Sequence, residues 1–186
     1  VRFMEDVNPP SLRSFWRNRK TGWRLLKIRP KHTRRALSQQ VSEEPQLGDL
    51  LILQSLPEDG GRFFTLPLVI SREPRTGAGN MGMYRMQVYD QRTTGMHMQI
   101  QKGGGFHYSV SEARDEPLPV TVFLGGPPAL MLSAIAPLPE NAPELMLASL
   151  IAGQRLKLVE GPWSHPLVGS AEFALLGEVR PHERRP

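Results

Sequence analysis

Apolar and polar positions change their spacing along the chain at about Gly48. From there on the sequence carries short apolar runs bounded by turn residues, which is the pattern of β-strands. Seven strands are predicted, over residues 50–54, 63–70, 83–89, 96–101, 120–124, 156–159 and 173–179. Two helices interrupt them, one over residues 127–136, which Pro137 stops, and one over residues 142–152, which Gly153 ends. The pattern therefore predicts an α+β domain that is mainly β and has two or three helices.

The amino-acid composition indicates one domain and excludes several kinds of site. The 186 residues suit one domain, and the 18 prolines and 17 glycines favour many turns over a helical bundle. No cysteine is present, which excludes disulfides, thiolate metal sites and a cysteine nucleophile, and we expect a cytoplasmic protein because that compartment is reducing. The uncharged residues 117–139 are numerous enough to span a bilayer, but their six prolines exclude a membrane helix.

The positive charge is concentrated near the start of the chain. The formal net charge is +5, and ten of the 23 basic residues lie within residues 11–36, where there is no acid. Three aromatic residues are interleaved with these cations, a combination that can bind nucleic acid through phosphate contacts and base stacking. No nucleic-acid module pattern accompanies the charges, so we favour a solvated or partner-facing surface. We interpret residues 1–44 as a basic arm and residues 45–186 as the folded domain.

Two glycine-rich segments flank a strand of unusual polarity. The loop of residues 76–82 leads into a strand that carries Arg85, and the run of residues 103–105 follows Lys102. Between them, alternation places Met96, Met98 and Ile100 on one face and His97, Gln99 and Gln101 on the other. Glycines let a backbone approach a ligand closely, and the two cations suit a phosphate or carboxylate. Each loop is also explained as an ordinary turn, so these residues predict only a β domain that can bind an anionic ligand.

Two longer stretches resemble a known family. Residues 80–87 read Asn-Met-Gly-Met-Tyr-Arg-Met-Gln, and residues 93–104 read Thr-Thr-Gly-Met-His-Met-Gln-Ile-Gln-Lys-Gly-Gly. This pattern resembles the core of the UbiD family of decarboxylases, with supporting similarity at residues 57–62, 125–139 and 170–172. The resemblance covers roughly residues 45–186. It implies a split β-barrel similar to flavin reductases, and reversible, non-oxidative decarboxylation of aromatic or α,β-unsaturated acids with prenylated FMN.

The same resemblance implies a metal site. Asn80 and Glu144 match the family's metal-ligating Asn and Glu, and Gln101 stands where the family has a ligating His. The ion is usually manganese, and potassium can accompany it. The manganese ion bridges the protein and the flavin phosphate. Amide and carboxylate oxygens suit such a hard cation. For Glu144 the residues also permit a second explanation, since Asn141 and Glu144 have the spacing of a helix capping box.

The resemblance further implies a set of cofactor contacts and one catalytic residue. Along the flavin it places Met83, Tyr84, Arg85, His97, Met98, Gln99, Lys102 and Gly103. Arg85 matches the family's active-site arginine, whose rigid guanidinium can hold a substrate carboxylate.

One part of the family's pattern is missing. Members continue into an acidic motif of the type Glu-Gly-Pro-Phe-Gly-Asp/Glu, which supplies the acid that protonates the product, and this chain stops at Pro186 just before it. We therefore expect a catalytically incomplete chain that needs further segments or a protein partner. Three alternatives stay open: a non-catalytic flavin-binding or assembly subunit, nucleic-acid binding through the basic arm, and a small flavin reductase suggested by fold analogy alone.

Overall fold

The computed structural model describes residues 29–99, 103–138 and 143–185. The strands are β1 (Lys31–His32), β2 (Phe63–Phe64), β3 (Leu68–Arg72), β4 (Gly79–Met83), β5 (Met86–Val88), β6 (Thr94–Met96), β7 (Leu118–Leu124), β8 (Lys157–Glu160), β9 (Pro166–Val168) and β10 (Phe173–Val179). The helices in these ranges are α1 (Gly103–Glu112), α2 (Pro128–Ile135) and α3 (Glu144–Ala152). Most of the predicted nucleic-acid segment lies in residues 1–28, outside the described residues.

The centre of the fold is a four-stranded antiparallel sheet in the order β10-β7-β3-β4. Strand β4 lies at one edge, and its register places Asn80 opposite Ser71 of β3. Two three-stranded sheets, β2-β5-β6 and β1-β8-β9, complete the described residues, whose sheets do not join into one closed barrel. The predicted mainly β, α+β fold is confirmed.

Alternating apolar residues bury both faces of the central sheet. On one face Leu68, Ile70 and Phe123 pack against the helices α2 and α3. On the other face Val69 and Val122 pack in a second cluster with side chains of β2 and β5. Each fully buried apolar side chain of this size stabilises the fold by about 1.5–3 kcal/mol relative to exposure. The sheet is therefore a rigid layer between two cores, and it fixes where the edge strand β4 lies.

The two predicted helices are confirmed within two residues at each end. Helix α2 has proline in its first turn, and α3 ends at Gly153, whose left-handed backbone (φ 65°) explains why glycine follows the helix. In the described ranges no helix has both the length and the apolar character required to cross a membrane. The cytoplasmic location stays a prediction.

Several strand predictions are wrong in their bounds. Residues 50–54 form no strand: the Ile52 N–H donates to the Leu50 carbonyl at 2.8 Å, a local bond that replaces a strand ladder. The predicted strand 63–70 is divided into β2 and β3, with Pro67, which has no N–H to donate, at the break. The predicted strand 83–89 is likewise divided between the end of β4 and β5, and the one over 96–101 forms a strand only up to Met96.

Four of the strands and α-helices were not predicted, and neither were two short 3-10 helices, Leu37–Gln39 and Pro162–Ser164. Strand β4 begins inside the glycine-rich loop of residues 76–82 and ends at Met83, and the glycine run of residues 103–105 begins helix α1. The short strands β1 and β9 flank β8 in their sheet. Because β1 pairs with β8, part of the segment assigned to the arm contributes to this sheet. The boundary at residue 44 stays a prediction.

Candidate functional site

An open cavity lies along the edge strand β4, the segment that links it to β5, and the first turn of α1. Its volume is about 2390 Å³, above the roughly 300–1,000 Å³ of a usual ligand pocket. The predicted site residues that line it are Asn80, Met83, Tyr84, Arg85, His97, Gln99, Gly103 and Glu144. Met98 instead packs against the second core with Met96. Gln101 and Lys102 lie outside the described residues.

The alternation predicted for residues 96–99 persists although only Met96 is in a strand. Met96 and Met98 are half-buried and pack against apolar core residues, whereas His97 and Gln99 are exposed and line the cavity, to which Met96 also contributes. The chain is held in this extended path in part by the His97 N–H, which donates to the Arg85 carbonyl at 3.4 Å. Two polar side chains therefore reach the cavity beside Arg85.

Asn80 is held by a tyrosine and a glycine. Its side-chain Nδ2 donates to the hydroxyl of Tyr84 at 3.4 Å, and the same hydroxyl accepts the backbone N–H of Gly104 at 3.0 Å. On the other side of the amide, Oδ1 of Asn80 lies against Gly103, where a Cβ would collide with it. Any larger residue at this position would displace the Asn80 side chain, because its oxygen takes the space of a methyl group.

Glu144 reaches the same strand from helix α3. Because β4 is an edge strand, some of its backbone N–H groups have no strand partner. Helix α3 packs against Met81, the residue that follows Asn80, and the Glu144 carboxylate faces the backbone of Met81. Burial raises the pKa of Glu144, and the backbone N–H of Glu144 itself, with a smaller contribution from that of Met81, opposes the rise. Helix α3 has Pro143 as its N-cap, so the described residues do not form the capping box, whose Asn141 lies outside them.

Arg85 is held between a carboxylate and an aromatic ring. Its Nη2 lies 3.1 Å from Oδ1 of Asp59, and its guanidinium carbon lies 3.7 Å from the ring centre of Phe63. The hydrogen bond from Arg85 holds the pKa of Asp59 below its usual value. The other oxygen of Asp59 accepts the Leu56 N–H at 3.1 Å, which fixes the carboxylate. The guanidinium thus has a defined direction although the side chain is 46% exposed.

Helix α1 is fixed to the central sheet by a buried pair. Nδ1 of His107 lies 2.9 Å from Oγ of Ser71 on β3, and both residues are buried. Burial lowers the pKa of His107, partly opposed by the charge of Glu73. Glu73 itself accepts hydrogen bonds from Arg75 and from the Thr76 N–H. These bonds stabilise the conformation of the loop before β4. These contacts set the position of the Gly103 end of α1.

The residue pattern alone assigned no role to Asp59, Phe63, Gly104 or His107. Asp59 lies in the stretch 57–62 that supports the family resemblance. The presence of an acid in that stretch could have suggested a partner for Arg85. For His107 there was no such signal, because its partner Ser71 lies on a strand that local periodicity cannot bring next to a helix.

A protein-family model, described as the UbiD 3-octaprenyl-4-hydroxybenzoate carboxy-lyase Rift-related domain, matches residues 29–186. The chain belongs to the UbiD family. The resemblance drawn from the residues alone is thereby confirmed.

Longer relatives of this UbiD-family chain are found among curated proteins. An uncharacterized protein of Chlamydia trachomatis is 50% identical over 184 residues, which cover 96% of this chain and 32% of that protein. A protein of Chlamydia pneumoniae, named as a subunit of 4-hydroxybenzoate decarboxylase, is 46% identical over 181 residues, which cover 95% of this chain and 31% of that protein. The chain thus spans about a third of the length of these relatives.

Solved structures share the fold at low identity. The vanillic acid decarboxylase of Sedimentibacter hydroxybenzoicus in closed form has a TM-score of 0.80 at 21% identity, over 94% of this chain and 39% of that chain. An evolved dimeric form of the UbiD-class enzyme HmfF from Pelotomaculum thermopropionicum, solved in complex with prFMN, has a TM-score of 0.79 at 23% identity, over 87% of this chain and 41% of that chain. The UbiD-family chain therefore has the fold of a domain of these enzymes.

Proposed function

We propose that the chain is the cofactor-binding domain of a UbiD-type decarboxylase. In this proposal it holds prenylated FMN and a divalent metal, Mn²⁺, and acts on an aromatic or α,β-unsaturated carboxylic acid. The acid that protonates the product is supplied by further segments of a longer polypeptide or by a partner subunit. The relatives support this division, because the chain matches only about a third of their length.

The observation that carries the proposal is the convergence of two distant elements at one strand edge. Asn80 lies on β4, and the Glu144 carboxylate at the start of α3 lies close to the backbone of the very next residue, Met81. Both side chains line the same cavity. An amide oxygen and a carboxylate brought to one place are the kind of ligands that a hard divalent cation prefers.

The chemistry of these groups fits a cation. None of the described residues donates a hydrogen bond to Oδ1 of Asn80, and in this proposal that oxygen coordinates the cation. The raised pKa of Glu144 means that its ionised form lacks a positive partner, which a metal ion would supply. Within the described ranges no three His, Cys, Asp or Glu residues cluster as a metal site. The remaining ligands would therefore come from Gln101, the flavin phosphate or water.

Arg85 has the position of a substrate-binding residue in this proposal. Bound prenylated flavin would supply the reactive centre for the loss of carbon dioxide. The Arg85 guanidinium would hold the substrate carboxylate in the cavity, and Asp59 and Phe63 would keep its direction. The lining residues Met83, His97, Gln99 and Gly103 would contact the cofactor.

Metal and flavin binding by the purified 186-residue chain tests the proposal. In a titration with Mn²⁺ in the presence of prenylated FMN, followed by electron paramagnetic resonance and flavin fluorescence, we expect both to bind. Glu144→Gln should weaken Mn²⁺ binding at least about tenfold, since it removes a charged ligand. Glutamine has nearly the same shape as glutamate and keeps one side-chain oxygen, so the variant should still fold.

A matched change elsewhere separates the site from general charge effects. Glu160→Gln removes the same charge at an exposed position of β8, and it should leave Mn²⁺ affinity unchanged. Equal Mn²⁺ affinity of Glu144→Gln and the unaltered chain would refute the metal assignment. The chain alone should not turn over an aromatic acid at enzyme rates, and turnover at such rates would refute the view that it is incomplete.

A non-catalytic subunit is the second candidate. The Chlamydia pneumoniae relative is named as one subunit of a decarboxylase, and the Sedimentibacter structure, ShVdcCD, also occurs with a truncated ShVdcD. These names support a protein partner. If the chain is a catalytic domain, a partner or further segments should restore turnover, and Arg85→Ala should abolish that turnover. If the chain is an assembly subunit, it should associate with its partner, and turnover of the complex should not depend on Arg85.

A further inference from the structure

Tyr84 lies behind Asn80 and is almost completely buried. Only 6% of its surface is exposed, and its side chain belongs to the second core cluster. The resemblance predicted a cofactor contact for this residue. The buried ring points to a different task, because its hydroxyl has two protein partners: the Asn80 amide at 3.4 Å and the Gly104 N–H at 3.0 Å.

Three glycines make room for this arrangement. A Cβ on Gly82 would lie 2.5 Å from the Tyr84 ring, and one on Gly104 would lie 2.7 Å from its hydroxyl. A Cβ on Gly103 would collide with Oδ1 of Asn80. Real Cβ contacts are essentially never this short, so any larger residue would displace the tyrosine or the amide. The glycines of two separate sequence segments therefore enclose one Tyr–Asn pair.

The Tyr84 hydroxyl and the start of helix α1 together favour one orientation of the Asn80 amide. A side-chain amide can turn by 180° and exchange its oxygen for its NH₂ group with little change in shape. Here the NH₂ group faces the Tyr84 hydroxyl, and the oxygen lies at the Gly103 end of α1. The partial positive charge at the start of a helix favours the oxygen there over an NH₂ group. The Tyr84 hydroxyl, which can bond either end of an amide, accepts the NH₂ group on the opposite side and limits rotation of the side chain, while the helix start selects the orientation.

We propose that Tyr84 is a positioning residue, which orients the Asn80 amide so that Oδ1 is kept free as a metal ligand. The inference rests on the proposed function, in which Asn80 binds the metal. An unoriented amide would present NH₂ to a cation for part of the time, and an NH₂ group cannot coordinate it. Tyr84 thus acts on the metal through Asn80 without touching it.

The test is a double-mutant cycle read by Mn²⁺ binding to the full 186-residue chain. Tyr84→Phe keeps the ring and removes the hydroxyl, and it should raise the Mn²⁺ dissociation constant roughly 10- to 100-fold, the effect of losing a partner that orients a ligand. In the background Asn80→Asp the same change should cost less than about threefold, because a carboxylate presents an oxygen in either orientation.

The two backgrounds distinguish orientation from packing. A loss of equal size in both would mean that Tyr84 supports the site only by filling space, and would overturn the inference. Tyr108→Phe is the matched control, since it removes a hydroxyl that bonds Glu112 on the same helix, away from Asn80, and Mn²⁺ affinity should not change.

A second measurement does not depend on metal. In the metal-free chain, nuclear magnetic resonance should show the Asn80 side-chain amide in contact with the Tyr84 ring, and Tyr84→Phe should shift these amide signals and speed exchange of the Gly104 N–H. Unchanged signals and exchange would overturn the inference. If the unaltered chain binds no Mn²⁺, the proposed metal site fails, and this measurement still decides whether Tyr84 orients Asn80.

Discussion

At the scale of single residues, Arg85 illustrates how a polar side chain near the surface is given one direction. The ion pair with Asp59 adds little stability, because the guanidinium is 46% exposed and water screens the attraction. The ion pair instead fixes the direction in which the Arg85 guanidinium points. The carboxylate is itself fixed by the Leu56 N–H, and the Phe63 ring lies against the flat face of the guanidinium.

The Asp59 carboxyl reports on this contact. Because the hydrogen bond from Arg85 is the largest cause of its lowered pKa, Arg85→Gln should raise the pKa of Asp59 towards the usual value. Carbon-detected nuclear magnetic resonance during an acid titration measures the pKa of Asp59. Arg92→Gln removes an equal charge whose nearest acid, Glu44, is 3.8 Å away, and it should leave Asp59 unaffected. An unchanged pKa in Arg85→Gln would show that the pair does not form in solution.

At the scale of elements, helix α1 is the part that joins the cavity to the rest of the fold. Its first turn contacts the Tyr84 hydroxyl, and its middle is bonded to β3 through His107 and Ser71. Its last residue, Glu112, binds Arg184 through both carboxylate oxygens, at 2.8 and 3.1 Å. The helix is therefore held at both ends and in the middle, which suits an element that lines a binding site.

The close contact at the start of α1 gives a prediction that opposes helix propensity. Alanine is usually better than glycine in a helix by roughly 0.5–1 kcal/mol, yet Gly103→Ala should lower the free energy of unfolding by about 1–3 kcal/mol, because the methyl group meets Asn80. It should also weaken Mn²⁺ binding. Urea unfolding and metal titration measure the two effects.

Gly177 on β10 provides the control for this substitution. A Cβ there meets nothing within 4 Å, so Gly177→Ala should not destabilise the protein. A Gly103→Ala chain as stable as the unaltered one would mean that Asn80 can move away at no cost, and the pair with Tyr84 would then not be rigid.

At the scale of the whole molecule, buried histidines connect the packing of the layers to pH. His165 is 1% exposed, and its Nδ1 lies 2.9 Å from Oγ1 of Thr121 on β7. Burial, with a smaller contribution from the charge of Arg72, lowers the pKa of His165 from 6.5 to about 4. The folded state thus favours the neutral ring, and protonation of the ring favours the unfolded chain.

Because its pKa is lowered in the folded state, His165 makes the protein less stable at acid pH. The contribution of His165 to stability is complete above pH 6.5 and is lost as the pH falls towards about 4, by roughly 3 kcal/mol at most. Urea unfolding at pH 7 and pH 4.5 should show this loss, and His165→Gln should make it smaller. His182→Gln, which changes an exposed ring, should leave it unaltered. Equal pH dependence in all three chains would contradict the role of His165.

Local signals in the sequence determined much of this molecule. Proline and glycine marked the ends of α2 and α3 because they act on their own backbone, and alternation separated His97 and Gln99 from Met96 and Met98 because neighbouring side chains point to opposite sides. The residue types of Asn80 and Glu144 already suited a cation.

Only the tertiary structure decided which of these groups meet. The approach of Glu144 to the edge of β4, the pairing of Arg85 with Asp59, and the contact of Gly103 and Gly104 with the Tyr84–Asn80 pair all join residues far apart in the chain. Local propensity contains no information on strand order or on which edge a helix packs against. Those choices are made by burying both faces of the central sheet at once, and the surroundings of every site residue follow from them.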